Sequence, residues 1–310
     1  MTAPDAWNGR AVLVTGATGF IGGAAAARLA RLGARVHGTS RRETAAPSFE
    51  MHACDLGDFG ACDALVRRVR PEIILHLAGH PFASRDLERV APTFRDNLQT
   101  TASILTAAAR AGTARVVLPG SLEEPDNADD AASSPYAVSK WAASQYARLF
   151  HTLYQLPVTT ARLFMVYGPG QRDLKKLIPG TIASLLRREP PRISSGERPV
   201  DWVFIDDVVD GLLAAALAPD AAGRTVDVGT GTLTTVRTVV ETLAALVPGS
   251  PAPNFGVVPA RPNEQVRAAN TAQSRDLTGW SPRVKLRDGL ARTIEWVKSM
   301  PAGSLERAAS

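Results

Sequence analysis

The chain holds only two cysteines, Cys54 and Cys62. That is too few for a disulfide framework, and their spacing matches no metal-ligand pattern. They read as ordinary reduced thiols, and no metal is expected. There is no apolar run of membrane-spanning length, and the opening Met1-Thr-Ala-Pro-Asp5 lacks the basic-then-apolar character of a leader. A cytoplasmic protein with no membrane partner is expected. Lysine occurs only at Lys140, Lys175, Lys176, Lys285 and Lys298, so arginine carries nearly all the positive charge. The arginines are scattered and form no basic block interleaved with aromatics. A net charge of +5 therefore does not describe a nucleic-acid surface. Acidic small molecules such as phosphorylated cofactors and substrates suit it better.

What is present is an alternation of strand-like and helix-like segments over 310 residues, 45% of them hydrophobic. Strands read at 10–15, 34–39, 49–54, 72–78, 114–118 and 158–164, with helices at 58–69, 94–111 and 135–154 among the segments between them. This predicts an α/β fold, a Rossmann-type doubly wound parallel sheet, with the cofactor across the carboxyl ends of its strands. After Gly168-Pro-Gly170 the pattern changes to short apolar segments between Pro/Gly clusters. The reading is a dinucleotide-binding domain over 1–170 and a smaller, mainly substrate-binding lobe over 171–310, with a strand returning to the main sheet at 224–229.

The apolar run Ala11–Val14 leads into Thr15-Gly-Ala-Thr-Gly-Phe-Ile-Gly22 and then an alanine-rich helix. Strand, G-x-x-G-x-x-G, helix is how a chain brings bare backbone N–H groups to a pyrophosphate. The candidate cofactor contacts here are Gly16, Thr18, Gly19, Phe20, Ile21 and Gly22. After the second strand an NAD site usually carries a carboxylate for the ribose 2′-OH. This chain has Ser40, Arg41 and Arg42 instead, which suit a 2′-phosphate. NADP(H) is favoured, with NAD(H) as the alternative. Asp55 can accept from the adenine amino group with Leu56 behind the ring, while Asp58 is better placed as a helix N-cap. Leu77, Ala78 and Gly79 end the fourth strand with small residues that let backbone pass under a cofactor.

Tyr136-Ala-Val-Ser-Lys140 places a tyrosine and a lysine on one helical face, and Ser121 precedes them at a strand end. A tyrosine with its ordinary pKa near 10 is a poor acid or base at neutral pH. A neighbouring ammonium and a positive nicotinamide would both lower it. Tyr136 is then expected to exchange a proton with a carbonyl or hydroxyl, with Ser121 fixing the reacting oxygen and Lys140 also holding the nicotinamide ribose. Glu123 is a candidate second acid or base, and Glu124 reads as a solvated loop residue. His80 lies near the nicotinamide end and could touch substrate, whereas His76 reads as a satisfied core histidine.

With these residues in place the chain resembles the extended short-chain dehydrogenase/reductases, specifically the nucleotide-sugar epimerase/dehydratase/reductase group. Further landmarks are Asn97, the run Arg162-Leu-Phe-Met-Val-Tyr-Gly-Pro-Gly-Gln171, Asp201-Trp-Val-Phe-Ile-Asp-Asp207, Arg261-Pro262 and Gly279-Trp-Ser-Pro282. The resemblance implies a nucleoside diphosphate sugar in the C-terminal lobe, Leu163 among the cofactor contacts, and Met165, Arg198 and Arg261 toward the substrate. Met165 stands where the family usually has asparagine. Val200 stands where it usually has arginine, with Arg198 two residues earlier as a substitute. Ser121-Leu-Glu123 keeps the hydroxyl and the glutamate of the dehydratase pattern but loses its middle polar group. The first reading is an NADPH-dependent reductase of a nucleotide-linked 4-keto-6-deoxy sugar. The second is a 4-epimerase or 4,6-dehydratase with retained cofactor. Two more are a reductase of an apolar, non-nucleotide ketone and a non-catalytic cofactor-sensing module. The family often pairs two helices into a dimer, so a homodimer through 94–111 and 135–154 is expected.

Overall fold

The computed structural model describes residues 6–46, 48–113, 115–127, 129–259 and 264–301. The first unit runs β1 (Ala11–Thr15), α1 (Phe20–Arg31), β2 (Arg35–Ser40), β3 (Glu50–Ala53), α2 (Phe59–Val69) and β4 (Ile73–His76). It continues through α3 (Val90–Thr93), a π-helical segment (Phe94–Gln99), α4 (Thr100–Ala111), β5 (Arg115–Ser121), α5 (Pro135–Tyr154) and β6 (Val158–Leu163). Then follow β7 (Met165–Tyr167), α6 (Leu177–Leu186), β8 (Pro199–Phe204), α7 (Ile205–Leu217), β9 (Thr225–Val228), β10 (Leu233–Thr235), α8 (Val236–Leu246), α9 (Thr271–Thr278) and α10 (Leu286–Lys298).

Seven strands form one parallel sheet in the order β3-β2-β1-β4-β5-β6-β9. The order reverses between β1 and β4, which opens a crevice at their carboxyl ends. A parallel sheet is covered on both faces, so its central strands read as unbroken apolar runs. All of β1 and all of β4 are buried. The returning strand is found where it was expected, with Leu163 in register with Val228. A second sheet, β10-β8-β7, is mixed: β7 lies parallel to β8 and β10 antiparallel to it. One apolar core runs from Val12 and Val14 through Phe204 and Leu212 to Leu290 and Ile294, so both sheets share it.

Local chemistry sets the helix starts. Asp58 caps α2 by accepting from the Ala61 N–H at 2.9 Å, as the sequence predicts. Ser134 caps α5 by accepting from the Ala137 N–H, with Pro135 in the first turn. Three buried carboxylates then pin C-terminal backbone to the sheets. Asp201 accepts from the N–H groups of Thr230, Gly231 and Ala269 at 2.8–3.0 Å. Asp207 accepts from Arg283 and Val284, and Asp227 from Asn270. Each satisfies backbone donors that would be costly to bury unpaired. The predicted helix over 94–111 departs from a uniform α-helix: Phe94–Gln99 is π-helical. Wide turns of this kind are frequent at functional sites, and this one carries Asn97 into the interior.

Candidate active site

Three loops meet at the β1/β4 crevice. The turn after β1 requires glycine for steric reasons. Gly16 has φ +66°, and a Cβ there would lie 2.8 Å from the Ala78 backbone. A Cβ on Gly22 would run into the Gly16 carbonyl oxygen. Gly19 is the N-cap of α1 and gives no side-chain cap, and the first turn has no acidic residue. The helix therefore presents its positive end and free N–H groups to the crevice. Thr18 and Gly19 are exposed there, with Phe20 and Ile21 half-buried behind them. This cradle fits a dinucleotide pyrophosphate.

Leu77, Ala78 and Gly79 form the opposite wall. The Thr15 hydroxyl accepts from the Ala78 N–H at 3.0 Å and shares a hydrogen bond with His76 Nδ1 at 2.9 Å. The core histidine is thus only half satisfied, since its buried Nε2 has no partner. Burial, and then the charge of Lys140, push its pKa down to about 3. Asn97 lies under the wall, where its Oδ1 accepts from the His80 N–H at 2.6 Å. Its amide donates to Ser139 Oγ at 2.9 Å. The His80 ring packs edge-on to Phe82 at 5.1 Å, and its pKa is lowered chiefly by burial.

At the adenosine end, Ser40 donates to the Arg42 carbonyl oxygen. Arg41 is paired with Asp96 at 3.5 Å, and Arg42 is exposed. Asp55 accepts from the Gly57 N–H at 3.0 Å and pairs with Arg95. Leu56 is buried.

β5 and α5 bring the candidate chemistry together. Ser121 ends β5 in register with Leu163 of β6, and it is buried. Tyr136 sits half-buried in the first turn of α5, near enough to the Ser121 side chain for that hydroxyl to lower its pKa. Lys140, one turn later, donates to the Pro119 carbonyl oxygen at 3.1 Å. The expectation that Lys140 lowers the tyrosine pKa is corrected here. Burial dominates and pushes Tyr136 up to about 12; the Ser121 hydroxyl lowers it, while Glu124 and Glu123 raise it further. Lys140 is pulled down to about 8 by burial, against the opposing effect of Glu124.

Glu124 is also not the solvated loop residue expected. It is buried, accepts from the Ser121 N–H at 2.6 Å, and accepts from Ser144 Oγ of α5 at 3.0 Å. Glu123 pairs instead with Arg198 at 2.8 Å and accepts from Ser133. Arg198 is further held by Glu264 at 3.1 Å and by the Gln265 carbonyl oxygen. Met165 opens β7, half-buried and in register with Trp202. Arg261 lies outside the described residues. Glu264, Gln265 and Arg267, which donates to the Glu124 carbonyl oxygen, are site neighbours that the sequence reading missed. No local pattern marks them, because their role depends on a loop crossing over from the far end of the chain.

A tyrosine one turn before a lysine, next to a strand-end serine beside a glycine-cradled crevice, is the arrangement of the extended short-chain dehydrogenase/reductases. The chain belongs to the NAD dependent epimerase/dehydratase family, whose model matches residues 12–229. It is 30% identical to a UDP-glucose 4-epimerase of Mycolicibacterium smegmatis, over 93% of this chain and 98% of that one. It is 29% identical to a dTDP-glucose 4,6-dehydratase of Xanthomonas campestris, over 92% of each. The Bordetella bronchiseptica enzyme WbmF, solved in complex with NAD+ and UDP, superposes with a TM-score of 0.86 at 24% identity. That match covers 99% of this chain and 97% of WbmF. The protein is an NAD(P)-dependent enzyme of the nucleotide-sugar epimerase/dehydratase type. Among the described residues no helix is long and apolar enough to cross a membrane.

Proposed function

We propose that the protein is a nucleotide-sugar 4-epimerase that retains NAD(H) and works through Tyr136, Ser121 and Lys140. The observation that carries this reading is the engagement of both glutamates after Ser121. Glu123 is held by Arg198 and Ser133, and Glu124 by Ser121 and Ser144. Dehydration needs a further free acid or base at the sugar, whereas epimerisation needs only one proton-exchanging group. The pairing of Arg41 with Asp96 also supports NAD(H), because it occupies the guanidinium best suited to a 2′-phosphate.

In this reading the glycine cradle and the α1 N-terminus hold the pyrophosphate, and Lys140 holds the nicotinamide ribose. The bound nicotinamide supplies the hydride acceptor and donor and a positive charge in its oxidised form. Ser121 hydrogen-bonds the reacting sugar oxygen and keeps the Tyr136 hydroxyl aligned on it. Tyr136 takes the proton from that oxygen and later returns it. Its high pKa in the protein alone keeps the phenol protonated until positive charge stands beside it. His80, Met165, Arg198 and Arg261 are the proposed substrate contacts, the nucleoside diphosphate lying toward the C-terminal lobe.

A second reading, NADPH-dependent reduction of a nucleotide-linked 4-keto-6-deoxy sugar, is favoured by one observation. The position that ends β2 is Ser40, not a carboxylate, and Arg41 and Arg42 come next. The deciding experiment denatures the purified protein and identifies released cofactor by mass, then incubates native protein with nucleotide-linked hexoses. Released NAD(H) with an isomeric product and no net cofactor change is expected. Stoichiometric NADPH loss with a two-hydrogen mass gain in a 4-keto sugar would replace this reading with the reductase.

A second copy of the chain is the proposed partner. Val138, Tyr146, Leu149 and Leu153 leave an exposed apolar stripe on α5, beside exposed Phe94. A large apolar surface of this kind asks for a partner, and a solution mass of one chain would overturn the homodimer. The two unpaired cysteines suit a reducing cytoplasm.

A further inference from the structure

The edge of the main sheet carries a cluster that the cofactor and sugar sites do not use. His37 on β2 is in register with Glu50 on β3, and His52 is two residues further along β3. Side chains two apart share a sheet face, so all three lie on the side covered by α2. His37 Nδ1 lies 3.1 Å from His52 Nε2 and 3.3 Å from Glu50 Oε2, and His52 Nε2 lies 3.6 Å from Glu50 Oε1. The two rings stack at 5.3 Å. His52 is buried, His37 half-buried and Glu50 exposed, so the cluster opens to solvent on one side.

We propose that His37, His52 and Glu50 form a binding site for a divalent borderline transition cation, Zn2+ in the first instance, that clamps edge strand β3 onto β2. The spacing carries the argument. Zinc–nitrogen and zinc–carboxylate bonds near 2.0–2.1 Å put neighbouring tetrahedral ligand atoms about 3.3–3.4 Å apart. The three separations, 3.1, 3.3 and 3.6 Å, straddle that value, Glu50 turning one oxygen to each histidine. Two imidazoles and one carboxylate are a donor set that zinc accepts, with water in the fourth position.

Arg35 and Arg68 both bring positive charge to the cluster, and Arg68 touches it directly. Arg68, exposed in the last turn of α2, donates to His52 Nδ1 at 3.0 Å. That bond places the His52 proton on Nε2, where it is donated to His37 Nδ1. Metal on Nε2 moves the proton to Nδ1, which then repels Arg68 as a donor. Binding therefore turns Arg68 out to solvent, and Arg68 acts as a competitor for the site. The clamp begins at His37, three residues (about 10 Å of strand) before Ser40, and reaches the level of Thr39, which is in register with His52. It steadies the strand that carries the cofactor turn without reaching Tyr136.

The test uses the full chain after chelator treatment, titrated with Zn2+ against a chromophoric chelator and separately with Co2+. One equivalent of Zn2+ bound at micromolar Kd is expected, with Co2+ developing the visible bands of a tetrahedral site. His37→Gln and His52→Gln should each weaken Zn2+ at least tenfold and abolish the Co2+ bands. Arg68→Gln removes the competing donor and offers an acceptor to Nδ1–H, so it should tighten Zn2+ about tenfold or more, the scale of such outer contacts. That variant gains affinity, so misfolding cannot mimic its effect. Zn2+ binding as strongly to His52→Gln as to the parent, or Co2+ retaining the spectrum of the aqua ion, would overturn the proposal. So would an unchanged or weakened affinity in Arg68→Gln.

Discussion

Glu124 Oε1 accepts the backbone N–H of Ser121 at 2.6 Å, so the residue at the heart of the site is held by a carboxylate three positions on. The other oxygen takes the Ser144 hydroxyl, which ties the end of β5 to the middle of α5. A Cβ on Gly120 would lie 2.7 Å from Glu124 Oε1, so glycine there makes room for the carboxylate.

Removing that carboxylate strands a buried donor. Glu124→Ala should cost about 2–4 kcal/mol of stability, from the unsatisfied N–H and the void together. Glu124→Gln keeps the shape and should cost about 1 kcal/mol. Because Glu124 also raises the pKa of Lys140, the glutamine variant should move the lysine titration lower still. Denaturant unfolding and an NMR titration of Lys140 check the two effects separately. Equal stability of both variants would mean that the Ser121 N–H finds another acceptor.

Tyr136→Phe removes the hydroxyl beside Ser121 that is proposed to exchange a proton with substrate. Turnover should fall about 10²–10⁴-fold, the range of positioned acid–base groups. Cofactor affinity should stay within about threefold, since the pyrophosphate cradle is untouched. Single-turnover kinetics and a fluorescence titration of NADH measure these. A residual rate within tenfold of the parent would assign the proton to another group.

Glu123 and Arg198 separate epimerisation from dehydration. If Glu123 serves only to position Arg198, Glu123→Gln should lower kcat by less than about tenfold, because a true acid–base role costs more. Arg198→Met should raise KM for the nucleotide sugar more than it lowers kcat. A Glu123→Gln loss above 10²-fold, with substrate affinity kept, would mark Glu123 as a proton donor and restore the dehydratase reading.

The architecture was largely legible in the sequence because a parallel sheet writes itself as apolar runs. β1, β6 and β9 fall within a residue or two of the segments read from composition alone. Gly16 and Gly22 were legible because steric closeness admits nothing larger. The π-helical turn at Phe94–Gln99 was not, since one extra residue in a turn leaves the surrounding apolar period almost unchanged. Glu124 was misread because its burial is set by Ser144, twenty positions away on another element. Arg198 was read as a substrate contact in place of the arginine missing at Val200, yet Glu264 and Gln265 reach it from sixty-odd residues on. The His37–Glu50–His52 cluster needed the β2/β3 register, which no spacing along the chain reveals.

Cofactor choice rests on Ser40, Arg41 and Arg42. Ser40→Asp combined with Arg41→Ala puts a carboxylate where the ribose 2′-OH would bind and removes one guanidinium. NADPH affinity should fall at least tenfold, since a hydrogen bond to a charged group contributes about 1.5–3 kcal/mol. NADH affinity should rise. Parallel titrations with both cofactors decide it. An unchanged preference would show that the 2′ position is read elsewhere.

His76 gives the fold a defined acid limit. Its folded pKa is pushed down to about 3 from an ordinary 6.5, with burial as the main cause and Lys140 as the second. Above pH 6.5 the ring is neutral in both folded and unfolded chains and contributes no pH dependence. As pH falls from 6.5 toward 3, the unfolded chain takes up a proton that the folded one refuses, so stability drops. The loss from this residue reaches a few kcal/mol near pH 3. His76→Asn keeps a hydrogen-bonding partner for the Thr15 hydroxyl and cannot titrate. It should flatten the curve between pH 6.5 and 4 while costing stability at pH 8. Urea unfolding at half-unit pH steps for parent and variant makes the comparison. Parallel curves for parent and variant would rule out His76 as the source of the acid sensitivity.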